Sequence, residues 1–137
     1  MNVLADTGAL YALLDDEDEW HGRMRDWLAG TRDALLVPTT VVQEAAFLIG
    51  SRHGSGREAA FLRTAASGAF ALEAPESQDL ARAADLVERY ADFPLGFVDA
   101  SIVAMAERMD ITTLLTTDRR HFGVVRPAHC ERLRLVP

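Results

Sequence analysis

The sequence predicts an α/β fold: a mostly parallel central sheet covered by helices on both faces, in a three-layer α/β/α arrangement. Short apolar runs bounded by turn residues recur at 2–5, 34–37, 70–72 and 112–115. Helical patterning fills the intervals between them. The chain has 137 residues and is 49% hydrophobic, which is one core's worth of material. Strands separated by helices need crossover connections, which set neighbouring strands parallel and bury both sheet faces.

The elements follow in order. Asn2–Ala5 is a strand that runs through Asp6-Thr7-Gly8 into a helix over Ala9–Leu14. Asp16-x-x-Glu19 has the spacing of a capping box and opens a second helix carrying Trp20, Met24, Trp27 and Leu28, closed by Gly30. Ala34–Val37 is a strand stopped by Pro38. Thr40-x-x-Gln43 is a further capping box, opening a helix through Ile49 that Gly50 and Gly54 end. Ser55-x-x-Glu58 caps the next helix, which has Phe61 and Leu62 on its apolar side. Phe70–Leu72 is a third strand, and Ser77–Tyr90 is an amphipathic helix with Leu80, Ala83, Ala84 and Val87 on one face. After the loop Asp92–Phe97, Val98–Met109 is helical and apolar nearly all round. Thr112–Leu115 is a fourth strand, and Leu133–Val136 adds a terminal edge strand. With no repeat, low-complexity tract or linker, the expectation is a single domain over 1–137.

All fourteen basic residues are arginine. The absence of lysine excludes phosphate-binding P-loops, kinases, Schiff-base enzymes and SxxK hydrolases. It also excludes receiver domains and haloacid-dehalogenase-like phosphatases, whose acidic pockets need a lysine. The net charge of −7 argues against a simple electrostatic nucleic-acid binder. The charge is uneven, however: residues 1–20 carry six acids and no arginine, whereas 119–137 carry five arginines against Glu131. One cysteine allows no intrachain disulfide, and no leader or membrane-spanning run is present, so the expected address is the cytoplasm.

Four carboxylates stand in costly places. In such folds ligands collect beyond the carboxyl ends of the strands. Asp6 ends the first strand and Asp118 follows the fourth, so sequence order puts both at that rim. Asp99 shares a helical face with Ile102, Val103 and Ala106, and Glu44 has Thr40, Val41, Phe47 and Leu48 around it. Both are expected in the first turn of their helices, where an anion is favoured, and on apolar faces, where an unpaired one is not. Singly, Asp6, Asp99 and Asp118 are better explained as helix caps and Glu44 as a partner for an arginine. Jointly, they suggest a cluster. Two such charges about 5 Å apart repel by roughly 3 kcal/mol at an effective dielectric near 20. A divalent cation reverses that balance, and oxygen ligands select magnesium, with manganese as a substitute, over zinc. Such a site suits attack of water on a phosphodiester. Thr7, Ser101, Thr116 and Thr117 flank the acids and are candidates to orient them; local capping is the competing role of each. Arg119, Arg120 and His121, directly after Asp118, are candidate phosphate contacts, and Arg52, His53 and Arg57 form a second basic group.

At these residues the chain resembles the PIN-domain ribonucleases, in particular the VapC toxins of bacterial toxin–antitoxin pairs. The resemblance rests on Leu4-Ala5-Asp6-Thr7-Gly8-Ala9, Val42-Gln43-Glu44, Asp99-Ala100-Ser101-Ile102-Val103 and Leu115-Thr116-Thr117-Asp118-Arg119-Arg120-His121-Phe122, in this order over nearly the whole length. It implies a PIN-like sandwich and a magnesium-dependent endoribonuclease. Asp6 and Asp99 would be the direct metal ligands, and Glu44 and Asp118 would bind a second ion or its waters. It also implies a homodimer and a VapB-type antitoxin that sends an arginine toward the acids, with Tyr11, Leu14, Trp20, Trp27, Phe47 and Phe61 as candidate groove residues. A non-catalytic RNA- or protein-binding module of the same fold would be expected to lack some of the acids. A metal-dependent DNA nuclease would differ only in its contacts to the sugar.

Overall fold

The computed structural model describes residues 1–137. Its centre is a five-stranded sheet of β1 (Asn2–Ala5), β2 (Ala34–Pro38), β3 (Ala71–Glu73), β4 (Thr113–Leu115) and β5 (Arg134–Val136), in the order β3-β2-β1-β4-β5. Every neighbouring pair is parallel. The helices are α1 (Thr7–Leu14), α2 (His21–Gly30), α3 (Thr39–His53), α4 (Ser55–Ala66), α5 (Ser77–Arg89), α6 (Phe97–Met109) and α7 (Arg119–Val124). The α/β sandwich expected from the sequence is therefore the observed one, with the short α7 added. No helix is long and apolar enough to cross a membrane.

The core is one cluster of 29 buried residues. β1 and β4 contribute Val3, Leu4, Ala5, Leu114 and Leu115, all buried. In α6, every residue from Ala100 to Ala106 is buried, which agrees with its all-round apolar sequence. α5 packs on α6 through charge as well as apolar contact. Arg82 donates to both oxygens of Glu107, and Arg108 donates from Nε to both oxygens of the buried Asp79. Asp79 also accepts from the Glu76 backbone N–H at the start of α5.

Several helix starts differ from the expected ones. Asp16 and Glu19 do not cap α2; the preceding acids fold turns instead, Asp15 accepting from Glu17 N–H and Asp18 from Trp20 N–H. α3 begins at Thr39 directly after Pro38, without a side-chain cap, and runs four residues beyond Ile49. Thr40 bonds to Ser101 rather than capping. Ser55 is the first residue of α4, and Gly54, at φ 91°, takes the left-handed turn between α3 and α4. β3 lies one residue later than expected. As an edge strand it leaves Leu72 exposed, whereas the central strands are buried on both faces.

Candidate active site

The sheet order reverses direction between β1 and β4, and this switch point builds the site. Leu4 and Ala5 pair with Leu114 and Leu115, so the residues that follow each strand emerge side by side. Asp6 N–H still bonds the Leu115 carbonyl at 3.1 Å, extending the ladder into the rim.

Asp6 is 4% exposed and caps α1. Its Oδ1 accepts from Ala9 N–H at 2.8 Å, and its Oδ2 accepts from the Thr116 hydroxyl. The Thr116 oxygen in turn accepts from Asp118 N–H at 2.8 Å. One buried hydroxyl thus couples the two strand-end acids. Asp118 caps α7: its Oδ1 accepts from His121 N–H and its Oδ2 contacts His121 Nδ1, each at 2.9 Å.

The electrostatics reveal how far the acids converge. Burial pushes the Asp6 carboxyl up to about 7, against the pull of the Thr116 and Ala9 hydrogen bonds, and the charges of Asp99 and Asp118 push the same way. Asp99, in the first turn of α6, rises to about 6 through burial and then through the charges of Asp118 and Glu44, with His121 opposing. Three acids therefore feel one another at the rim, while Glu44 reaches the group through Asp99.

Glu44 departs from expectation. It lies in the second turn of α3 and is exposed. The reason is register: Val41, Ala45, Ala46 and Ile49 face the core, so Gln43, Glu44 and Phe47 face solvent, while Thr40 at the start of the same stripe is half-buried against α6. Phe47, 69% exposed, had made that stripe look buried in the sequence.

Of the flanking hydroxyls, only Thr116 touches an acid. Ser101, fully buried, bonds Val98 carbonyl oxygen and Thr40, tying the Asp99 helix to the Glu44 helix. Thr117 packs over Gly8, where a Cβ would lie 2.5 Å from its hydroxyl oxygen, so α1 needs glycine there to approach the β4 turn. The Thr7 hydroxyl is buried and unpartnered.

Among the basic candidates, Arg119 reaches the Pro137 carbonyl, and Arg120 lies over Phe93 at 5.4 Å. Phe93 also packs on His121, with ring centroids 4.8 Å apart. Phe93 and the orienting role of His121 were not anticipated, although the Asp118-x-x-His121 spacing at a helix start was a usable signal. In the second basic group, His53 Nε2 is 2.9 Å from the Tyr11 hydroxyl, which donates to Asp15, and Arg52 covers the Tyr11 ring.

The candidate groove residues do not form one surface. Tyr11, Leu14 and Phe61 line a cavity of about 400 Å³ with Asp15, Asp16 and His53. Trp20 lines another with Gly8 and Thr117, and Phe47 a third beside Glu44. Trp27 packs against the core.

No three acidic, histidine or cysteine side chains close into a full cage for an ion. Magnesium does not require one, because it retains several waters and uses one or two carboxylates. An all-oxygen set with two carboxyls forced toward their protonated forms suits such a hard cation.

As an expected outcome, Thr116→Val should raise the Asp6 carboxyl further, since it removes the hydroxyl that favours the charged form. The acid limb of the activity–pH profile should move to higher pH; an unmoved limb would show that this hydroxyl does not tune Asp6.

Parallel strands with an acidic rim at the switch point make this an α/β protein with a candidate acidic centre, and residues 3–126 match the PIN domain. The chain belongs to the PIN-domain family. Within it, the chain is of the VapC type: it is 36% identical to Ribonuclease VapC26 of Mycobacterium tuberculosis over 135 residues, 98% of this chain and 100% of that protein. The fold is similar to that of Mycobacterium tuberculosis VapC20, described as a sarcin-ricin loop cleaving toxin. The TM-score is 0.81 at 20% identity, over 87% of this chain and 92% of that one. It is similar also to DNA-bound VapBC from Salmonella typhimurium, with TM-score 0.72 at 17% identity over 98% and 96% of the two chains.

Proposed function

We propose that this protein is a magnesium-dependent endoribonuclease toxin, hydrolysing RNA phosphodiester bonds and inhibited by a cognate VapB-type antitoxin. The observation that carries this reading is the buried Asp6 carboxyl at the end of β1, joined through the Thr116 hydroxyl to Asp118 at the end of the neighbouring β4. RNA as substrate is supported by the relative that is named a ribonuclease.

Asp6 and Asp99 are the residues that would hold magnesium, and Asp118 and Glu44 would hold a second ion or its waters. Magnesium, when bound, supplies positive charge to the phosphoryl oxygens and acidifies the attacking water. The chain's contribution is orientation. Ala9 N–H and the Thr116 hydroxyl pin both oxygens of Asp6, each of which retains a lone pair for a further partner. His121 pins Asp118 in the same way, so these carboxylates need not reorganise when substrate arrives. The decisive assay is cleavage of RNA against DNA of the same sequence, with magnesium and with a chelator. Cleavage of DNA alone, or cleavage that survives chelation, overturns the proposal.

Arg119, Arg120 and His121 stand in the first turn of α7, immediately after Asp118, and are the proposed phosphate contacts. Replacing both arginines with alanine is expected to weaken RNA binding and to flatten its salt dependence by about 1.4 in logarithmic slope, about 0.7 for each lost contact on a single strand. An unchanged salt titration would remove these residues from the interface.

The cavity of Tyr11, Leu14 and Phe61 is the proposed antitoxin groove. Its wall of Leu14, Ile49 and Phe61 fits an apolar segment, and its polar lining carries both signs, Asp15 and Asp16 beside His21, His53 and Arg57. Structures of VapBC complexes with the same fold support a partner of this kind. A homodimer and a cytoplasmic address complete the proposal.

A further inference from the structure

Phe93 has no place in the core. It is half-buried in the loop between α5 and α6, yet it does not pack against the buried cluster as its neighbour Tyr90 does. Its ring meets α7 instead. The Arg120 guanidinium lies over it, 5.4 Å from the ring centroid, and the His121 ring packs on it with centroids 4.8 Å apart. The loop is held on both sides of Phe93: the Phe93 N–H bonds the Tyr90 carbonyl at 3.0 Å, and Leu95 is buried. Tyr90 grips the chain just past α7, its hydroxyl accepting from Arg126 N–H at 2.9 Å. Arg120 is meanwhile unspent. Arg82 and Arg108 are committed to ion pairs and Arg119 to the Pro137 carbonyl, whereas Arg120 joins no ion pair, although Asp118 is only two residues away.

We infer that Phe93 is a positioning residue for RNA binding, holding the Arg120 guanidinium ordered and unpaired at the rim for a phosphate of the strand. The inference rests on the proposed endoribonuclease activity and, within it, on Arg120 as a phosphate contact. An unrestrained arginine must give up rotamer freedom when it binds. One that already lies over a ring has given up part of it on folding, and a guanidinium stacked by its face keeps the N–H groups at its edge for a phosphate. α7, six residues long, is too short to order that side chain without tertiary contact. The same ring backs His121, which meets both oxygens of Asp118. Stacking of a nucleobase on Phe93 fits less well, because Arg120 and His121 already occupy the ring.

The test is a double-mutant cycle, read by binding of a short, unstructured oligouridylate to protein carrying Asp99→Asn to prevent turnover. Phe93→Leu keeps an apolar side chain and removes the ring face. It should lower affinity about threefold, within the roughly two- to fivefold that one exposed cation–π contact is worth. The salt slope should not change, because Arg120 is still present. Phe93→Tyr should bind as the parent does. With Arg120→Ala already in place, Phe93→Leu should cost nothing further. Equal loss in both backgrounds would mean that Phe93 acts on the fold or directly on RNA, and overturns the inference. So does unchanged or tighter binding in Phe93→Leu where Arg120→Ala weakens it; the phosphate contact then stands without Phe93. Arg120→Ala without effect removes that contact and this inference together, while cleavage of RNA by the wild type keeps the nuclease reading. Wild-type protein that neither binds nor cuts RNA overturns both.

Discussion

Asp6→Asn is expected to abolish magnesium-dependent RNA cleavage while raising the melting temperature of the ion-free protein. The two effects have one cause. Asp6 is buried, and its ionised form is opposed by that burial and by the charges of Asp99 and Asp118. Raising a carboxyl from 3.8 to about 7 corresponds to a penalty on the order of 4 kcal/mol for the charged form above that pH. Asparagine removes the charge and keeps the contacts, its oxygen accepting from Ala9 N–H and its amide donating to the Thr116 oxygen. Desolvating the amide offsets part of the gain, leaving about 1–2 kcal/mol, or roughly 5 °C. Activity responds oppositely, because a neutral amide is a poor magnesium ligand. Losing about 3 kcal/mol of charge stabilisation at the phosphoryl group is more than a hundredfold in rate. Asp99→Asn should behave alike, with a smaller thermal gain because Asp99 is only half-buried. Asp6→Ala makes a useful contrast, since it also strips the α1 cap at about 1 kcal/mol. Thermal melts and cleavage rates on the same preparations check all three. Unfolding of both asparagine variants would mark these acids as structural.

The second large expectation concerns pH. The folded protein holds protons on Asp6 and Asp99 that the unfolded chain has already released, over about pH 4 to 7 for Asp6 and about pH 4 to 6 for Asp99. Where the folded state binds more protons, stability falls as pH rises. Ion-free protein should therefore lose stability across that window. Asp15, held low by the Tyr11 hydroxyl, and Glu107, held low despite its burial by Arg82 and Ala128 N–H, act with the opposite sign at the acid end of the range. Magnesium competes with those protons, so its stabilising effect should grow with pH. At about a hundred times its Kd it should add about 2.7 kcal/mol, close to 10 °C. Melts near pH 5 and near pH 8, with and without magnesium, read this directly. An ion-free protein whose stability is flat or rises through the window, or a magnesium shift independent of pH, would show that these carboxyls are not the ion's ligands.

The helix register explains where reading from sequence succeeds and where it fails. Asp6 and Asp118 were legible because each follows a strand, and parallel strands must deliver their ends to one rim. α6 was legible because an unbroken apolar stretch of helical length has nowhere to go but the interior. Glu44 was misplaced: Phe47, one turn on, suggested a buried face, but the smaller Ala45, Ala46 and Ile49 are the ones that pack. The capping boxes at Asp16, Thr40 and Ser55 failed for a related reason. A hydroxyl or carboxylate near a helix start has several partners within reach, and Thr40 found Ser101 on another helix, sixty-one positions away.

By itself the amino-acid order determined the layered α/β architecture, the exclusion of lysine chemistry and the identity of the acids, because periodicity and residue type are local properties. Only the tertiary structure decided that Thr116 would join Asp6 to Asp118, and that Glu44 and Phe47 would face water beside Phe97. Those outcomes depend on which elements lie against one another. A side chain's pKa and partners are set by what surrounds it in space, and residues distant along the chain supply most of those surroundings.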